Sequence, residues 1–158
     1  MPDELRFRHV MAHFATGVTV VTSRAPGGRL CGLTANSLAS VSLDPLLVLV
    51  CVGREAASHA CIVAGGAFAV SILGRQHEVL ARRFSLGDRS ARFDELKYRT
   101  ELTGSPVLDD ALAWLDCRVT DVHEGGDHSI VVGEVVACDA RDGDPLVFYR
   151  GGYHRMEP

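Results

Sequence analysis

Apolar and polar residues recur with two different periods along this chain. Near its start Leu5, Val10, Met11 and Phe14 fall close to helical spacing, so residues 3–15 are predicted as an amphipathic helix, with Asp3 as N-cap and Gly17 as its stop. Beyond it the β-branched content rises. Residues 18–23 read as a strand, Ala25-Pro26-Gly27-Gly28 as a turn, and residues 30–41 as a second, partly polar strand before Asp44-Pro45. Residues 46–52 are apolar without alternation, which predicts burial on both faces, one against the core and one against a helix or a second subunit. A short helix over 56–64 stops at Gly65-Gly66, a strand covers 68–73, and a further helix covers 76–84. Residues 85–102 are polar and irregular, the pattern of a solvated connection or of a lid over a site. Strands at 114–122 and 129–138 flank a connection at 123–128, where Gly-Gly-Asp suits a hairpin, and a last strand covers 146–149. Several strands with only short helices, and few helical crossovers, predict a mainly β fold: a small β-barrel or sandwich with short flanking helices.

Composition narrows the class. At 158 residues and 47% hydrophobic content, residues 1–158 are expected to form one domain with a core that needs no metal or disulfide staple. The net charge is −4 and neither terminus carries a basic run, which disfavours nucleic acid as a partner. The longest apolar run, 46–52, is far too short for a bilayer, and Met1-Pro2-Asp3-Glu4-Leu5-Arg6 lacks the apolar core of a signal peptide, so a cytoplasmic location is expected. The five cysteines, Cys31, Cys51, Cys61, Cys117 and Cys138, form no CxxC pair and lie mostly in apolar stretches, so they are expected to be free, buried thiols.

Side-chain chemistry is sparse. There is no G-x-S-x-G elbow, no ligand spacing for a metal, and no GxGxxG or phosphate loop, so a Rossmann half is excluded. An enzyme lacking such groups is one whose cofactor carries the reaction. Two stretches suit a flat, anionic ligand. In Gly32-Leu33-Thr34-Ala35-Asn36-Ser37-Leu38-Ala39-Ser40-Val41 both faces of the strand are small or hydroxylated, leaving room for a planar ring beside the backbone; a plain edge strand gives the same pattern. In Val52-Gly53-Arg54-Glu55-Ala56-Ala57-Ser58-His59 the chain leaves a strand and enters a helix, aiming free N–H groups and the positive helix end outward, as in many ordinary junctions and in phosphate sites. Arg82-Arg83 end a helix, where cations favour the dipole in any case, and His128 stands beside Asp127 in a turn.

In order and spacing these pieces resemble the short-chain flavin reductases, the reductase components of two-component flavin-dependent monooxygenases. The resemblance is carried by residues 14–22 (FATGVTVVT), by GLTANSLASVSLDPLL, GAFAVS and GDHSIVVGEV, and by PLVFYRGGY near the end. It implies an FMN-binding split barrel, antiparallel and Greek-key, assembled as a homodimer with the flavin near the subunit interface. It implies the activity of an NAD(P)H:flavin oxidoreductase, passing hydride from NADH or NADPH to FMN or FAD, with reduced flavin diffusing to a partner oxygenase. Carried over residue by residue, Thr34, Ala35, Asn36 and Ser37 would contact the flavin, and Ser40 and Val41 would lie along its ring. Cys51, Val52, Ser58 and His59 would sit at the ribityl and phosphate end, with Arg83 and Phe84 closing over it. Asp127 and His128 match the nicotinamide-side Gly-Asp-His motif, making His128 the catalytic candidate, and Tyr153 lies near the same pocket. Two departures stand out: Ala60 replaces the second hydroxyl of a Ser-x-Thr pair, and Leu38 stands where relatives often have an aromatic. A flavin carrier on the same barrel, and a relative of the pyridoxamine-phosphate or deazaflavin oxidoreductases, are the alternatives.

Overall fold

The computed structural model describes residues 1–157. Its elements run α1 (Glu4–Met11), β1 (Thr16–Gly17), β2 (Thr19–Arg24), β3 (Leu30–Ala35), β4 (Ala39–Leu43), β5 (Leu46–Gly53), α2 (Ala57–Gly65), β6 (Ala67–Ile72), α3 (Glu78–Leu86), β7 (Tyr98–Thr100), β8 (Pro106–Leu108), β9 (Ala113–Gly125), β10 (His128–Ala140), β11 (Leu146–Tyr149) and β12 (Gly152–Arg155). Seven strands make one antiparallel sheet in the order β3-β2-β6-β9-β10-β5-β4. The outermost strands, β3 and β4, are joined through residues 36–38 alone, so the sheet must curl until its ends nearly meet. This is the split barrel. A three-stranded sheet, β1-β11-β12, and a β7-β8 pair flank it.

Two apolar clusters hold these layers. Val21, Val50, Val52, Ile62, Phe68, Val70 and Val131 fill the barrel, while Val18, Val20, Leu73, Ala81, Phe84 and Leu146 seal α3 and the smaller sheet against it. Gly133 makes the first possible, because a Cβ there would stand 2.6 Å from the Phe68 ring. Gly32 plays the same part beneath Phe84, where a Cβ would approach to 2.7 Å.

Local signals held where one residue decides the backbone. Asp3 caps α1 by accepting from Arg6 N at 2.8 Å, and Gly66 ends α2 at φ +67°. Elsewhere the structure departs from the pattern. The first helix stops at Met11 rather than Ala15, and none of its residues is buried. The strand predicted unbroken over 30–41 divides at 36–38, where the chain crosses from the β2 edge to β5. There the Ser37 hydroxyl accepts from Cys51 N at 3.0 Å and donates to Cys51 O at 3.1 Å, satisfying the exposed edge of β5 beyond its pairing with β4. Within one chain β5 buries one face: Val48, Val50 and Val52 point inward, while Leu47, Leu49 and Cys51, on the face the pattern leaves to a helix or a second subunit, stay half-exposed. The connection expected over 123–128 is mostly strand, since β9 and β10 pair up to Gly125 and His128 around a two-residue loop led by Gly126 at φ +72°. The cysteines are not all free. Cys31 and Cys61, thirty residues apart, form a disulfide that no local spacing signals.

Candidate functional site

Two open clefts meet at Thr34 and Ser85. The wider, of about 310 Å³, is lined by Thr34, Ala35 and Asn36 at the end of β3, by Arg82, Ser85 and Leu86 on α3, and by Val18, Phe148, Gly151 and Tyr153. That volume lies in the range of about 300–1,000 Å³ that small-molecule sites occupy. Its walls combine aromatic rings with the polar end of a strand, as a flat heterocycle requires. Tyr153 is held from both sides, its ring 5.4 Å from Phe148 and beneath the Arg82 guanidinium at 5.0 Å. A further cleft, lined by Phe14, Thr16, Thr19 and Leu38, shares Asn36 with the first.

The second cleft, of about 240 Å³, is lined by Thr34, Ser58, Phe84 and Ser85 together with Ala56, Ala57, Arg89 and Arg92. It lies over the first turn of α2, which has no side-chain cap, so the N–H groups of Ala57 and Ser58 are free to bind an anion, while that of His59 donates to Ala56 O at 3.0 Å. Arg92 is the telling residue. It is 9% exposed, its Nη1 donates to Gly32 O at 2.7 Å, and its Nε has no partner at all. No carboxylate stands within ion-pair distance of Arg89 or Arg92 among the described residues. Burial, and then the nearby Arg89 charge, hold Arg92 below its ordinary range. A buried, uncompensated cation beside an uncapped helix start fits a phosphate. The donors on hand therefore fit the phosphorylated tail of a flavin, and the aromatic cleft fits its ring.

The structure gathers some of the residues singled out above and disperses others. Thr34, Ala35, Asn36 and Tyr153 line the first cleft. Phe84 and Ser58 line the second, yet Phe84 is 0% exposed, and the buried Ser58 hydroxyl donates to Gly32 O at 3.2 Å, fastening α2 to β3. His59 is also occupied, its Nε2 lying 2.8 Å from Ser129 Oγ. Arg83 points away from both clefts, its guanidinium donating to the carbonyls of Ala91 and Asp94; the cation at the mouth is its neighbour Arg82. Ser37 and Cys51 bind one another at the barrel seam, Val52 is in the core, and Ser40 and Val41 are exposed on β4. Asp127 and His128 occupy the tip of the β9–β10 hairpin, outside both clefts. There His128 Nδ1 sits 2.7 Å from Asp127 Oδ1, and that hydrogen bond, with the imidazole charge, holds the Asp127 carboxyl below its ordinary value. Arg54 secures the tip, its N–H donating to Asp127 O at 3.0 Å and its guanidinium pairing with Glu124 at 3.1 Å. Sequence reasoning missed Arg92 and Arg89, and read Arg82 only as a complement to the helix dipole. The signal available was a polar stretch, 85–102, rich in arginine yet placed where a lid would sit.

Comparison with known proteins converges on one family. The family model described as the flavin reductase like domain matches residues 11–157. The FMN reductase (NADH) of Agrobacterium fabrum is 42% identical over 150 residues, covering 95% of this chain and 84% of that protein. The solved NADH:FAD oxidoreductase of Streptomyces globisporus, in complex with NAD and FAD fragments, is similar with a TM-score of 0.92 at 39% identity, over 99% of this chain and 94% of that one. The flavin reductase component of a bacterial two-component tryptophan halogenase gives 0.88 at 36% identity, over 99% of both chains.

Proposed function

From the flavin reductase-like family, to which this chain belongs, we propose that the protein is an NADH- or NADPH-dependent flavin reductase that supplies reduced FMN or FAD to a separate oxygenase. The observation that carries the reading is the buried Arg92, with its Nε unpartnered, over the uncapped start of α2, joined through Thr34 and Ser85 to an aromatic cleft. Bound there, a flavin supplies a ring that accepts hydride from a reduced nicotinamide.

The chain's own contribution is orientation, charge and shielding. Arg92 and the first amides of α2 hold the phosphate end. Past the end of β3 the Asn36 amide meets the heterocycle edge and stabilises negative charge that develops there, the Thr34 hydroxyl being already donated to Ala81 O. Tyr153, pinned between Phe148 and Arg82, closes the cleft on the side from which a second ring system would enter. His128 positions the nicotinamide cofactor, with Asp127 orienting its imidazole through the bond at Nδ1 and leaving Nε2, above Gly53, without a protein partner among the described residues. His128 stands outside the clefts of its own chain, so this role has it meet the cofactor at the rim rather than on the floor.

The reading includes a homodimer. Leu5, Phe7, Val10 and Phe14 on and after α1 are exposed, as are Val41 and Leu43 on β4 and Leu46 on β5, an apolar extent unusual for a monomer surface. A second copy is the occupant that covers these residues, and equilibrium sedimentation is expected to return twice the chain mass. Among the described residues no helix is long and apolar enough to cross a membrane; a cytoplasmic location is part of the proposal. The deciding assay follows NADH and NADPH oxidation by ultraviolet absorbance, with and without added FMN or FAD. Flavin-dependent oxidation is expected with at least one pair. A protein that binds flavin yet oxidises neither nucleotide would be a carrier, and the proposal would fail.

A further inference from the structure

The Cys31–Cys61 disulfide ties β3 to α2 next to the anion cleft, Cys31 lining a recess that shares Ser58, Arg89 and Arg92 with it. Three contacts meet at this joint. Gly32, next to Cys31, accepts at its carbonyl from Ser58 Oγ at 3.2 Å and from Arg92 Nη1 at 2.7 Å. Ser58 lies about one turn before Cys61 on α2. The link thus fixes the strand that carries Thr34 against the helix whose amides open onto the phosphate position. The two sulfurs are unequally placed: Cys31 is 7% exposed and lines a 40 Å³ recess beside Arg89 and Arg92, whereas Cys61 is 1% exposed and does not line it. Cys51, Cys117 and Cys138 stay free, and burial pushes the Cys117 thiol up to about 12, so it offers no thiolate in competition.

The geometry points to Cys31–Cys61 as a thiol–disulfide exchange site that sets how tightly the cleft holds a flavin phosphate; this rests on the flavin reading above. The co-reactant is a dithiol, either a small molecule or a redox protein bearing a vicinal pair. One thiolate attacks Cys31 Sγ through the recess, forming a mixed disulfide and expelling Cys61 as a thiolate that takes up a proton. The second thiolate of the reductant then attacks its own sulfur in the mixed disulfide, and Cys31 leaves as a thiolate and is protonated. Two electrons pass to the protein and the dithiol becomes a disulfide. With the bond open, β3 is held against α2 by the Ser58–Gly32 hydrogen bond and the core packing of Ile62, and the spacing of Arg92, Ser58 and the helix amides loosens. Coupling of this kind is reciprocal: a bound flavin phosphate protects the disulfide by the factor that the disulfide tightens binding.

The test titrates FMN, by quenching of its fluorescence, into the air-oxidised protein, into the same protein after dithiothreitol, and into the double variant Cys31→Ser/Cys61→Ser. Free thiols are expected to rise from three to five on reduction. Kd for FMN is expected to rise roughly tenfold, within the usual range of coupling factors. The double variant binds like the reduced protein and ignores dithiothreitol. Saturating FMN moves the reduction midpoint by about 30 mV, the equivalent of that factor for two electrons. Five free thiols before reduction, or equal FMN affinity in the two wild-type states, would overturn the inference while leaving the reductase reading intact. Binding of neither FMN nor, in a parallel titration, FAD in either state would instead sink the reductase reading, and this inference with it. If the variant does not fold, the two wild-type states decide alone.

Discussion

The Arg92 cradle and the His128 hairpin tip hold their polar groups in opposite ways. Around Arg92, four segments converge: β3 through Gly32, α2 through Ser58, α3 through Phe84, and the loop that carries Arg92 itself. Its cation is buried, rigid and left partly unpaired. At the tip, His128 is bonded to its neighbour Asp127, and the side chains are 49% and 93% exposed. The first arrangement costs stability unless an anion arrives, because a buried charge without a partner is unfavourable. The second costs nothing and is free to turn toward whatever approaches. The difference separates two duties, a preformed grip on one cofactor and an adaptable contact with another that comes and goes.

Removing the packing beneath the cradle should have the largest effect. Phe84 is fully buried and meets Phe93 edge-on at 5.3 Å. Phe84→Ala should lose about 3–5 kcal/mol of stability in chemical denaturation. His128→Ala should change stability by no more than about 0.5 kcal/mol. Similar losses at the two positions would erase the contrast. Next in size, Arg92→Met keeps the volume and removes the charge. Its FMN Kd should rise about ten- to hundredfold, the usual worth of a hydrogen bond to a charged group, with less change in the KM for nicotinamide cofactor. Unchanged FMN binding would take the phosphate out of the cradle.

His128→Ala sharpens the comparison from the other side. The KM for the nicotinamide cofactor should rise about fivefold while FMN affinity holds, the scale of one modest hydrogen bond. Equal losses would place His128 at the flavin instead. The smallest effect is expected from pH. The Asp127 carboxyl lies below its ordinary 3.8 because it accepts from His128, so the pair stabilises the fold above about pH 4, and that contribution is lost as pH falls through the lowered value. Asp127→Asn should therefore unfold slightly more easily than wild type at pH 7 and match it near pH 2, read from denaturation midpoints. A gap that persists at pH 2 would assign the effect to something other than this ionisation.

What could be read beforehand follows the range of the forces involved. Asp3 and Gly66 act within a single turn of chain, so the cap and the stop were visible as residue types. The strands β6 and β11 were legible because their partners bury their apolar residues nearly as a local pattern predicts. The break at 36–38 was not, since small residues such as Asn36 and Ser37 suit a strand and a crossing equally; only the demand of the β5 edge decides. β12 went unseen because Arg150 takes φ +49°, an uncommon value for a residue with a side chain, to turn the chain back at Gly151. In the site, the stretch holding Thr34 to Asn36 stood out by its small, hydroxylated faces and Tyr153 was reached through family likeness, whereas Arg92 was hidden. Within a polar run a charged residue reads as solvated, and its burial against Gly32 exists only once the loop folds over β3. The disulfide, closing thirty residues, was concealed for the same reason.

The account turns on where a flavin's phosphate sits. A crystal structure of the protein grown with excess FMN tests this most directly. The phosphate oxygens should lie on the first amides of α2 and on the Arg92 guanidinium, with the ring running from Thr34 toward Tyr153. A phosphate bound elsewhere with Arg92 still unpaired, or a ring cleft closed by the protein's own side chains, would contradict the account.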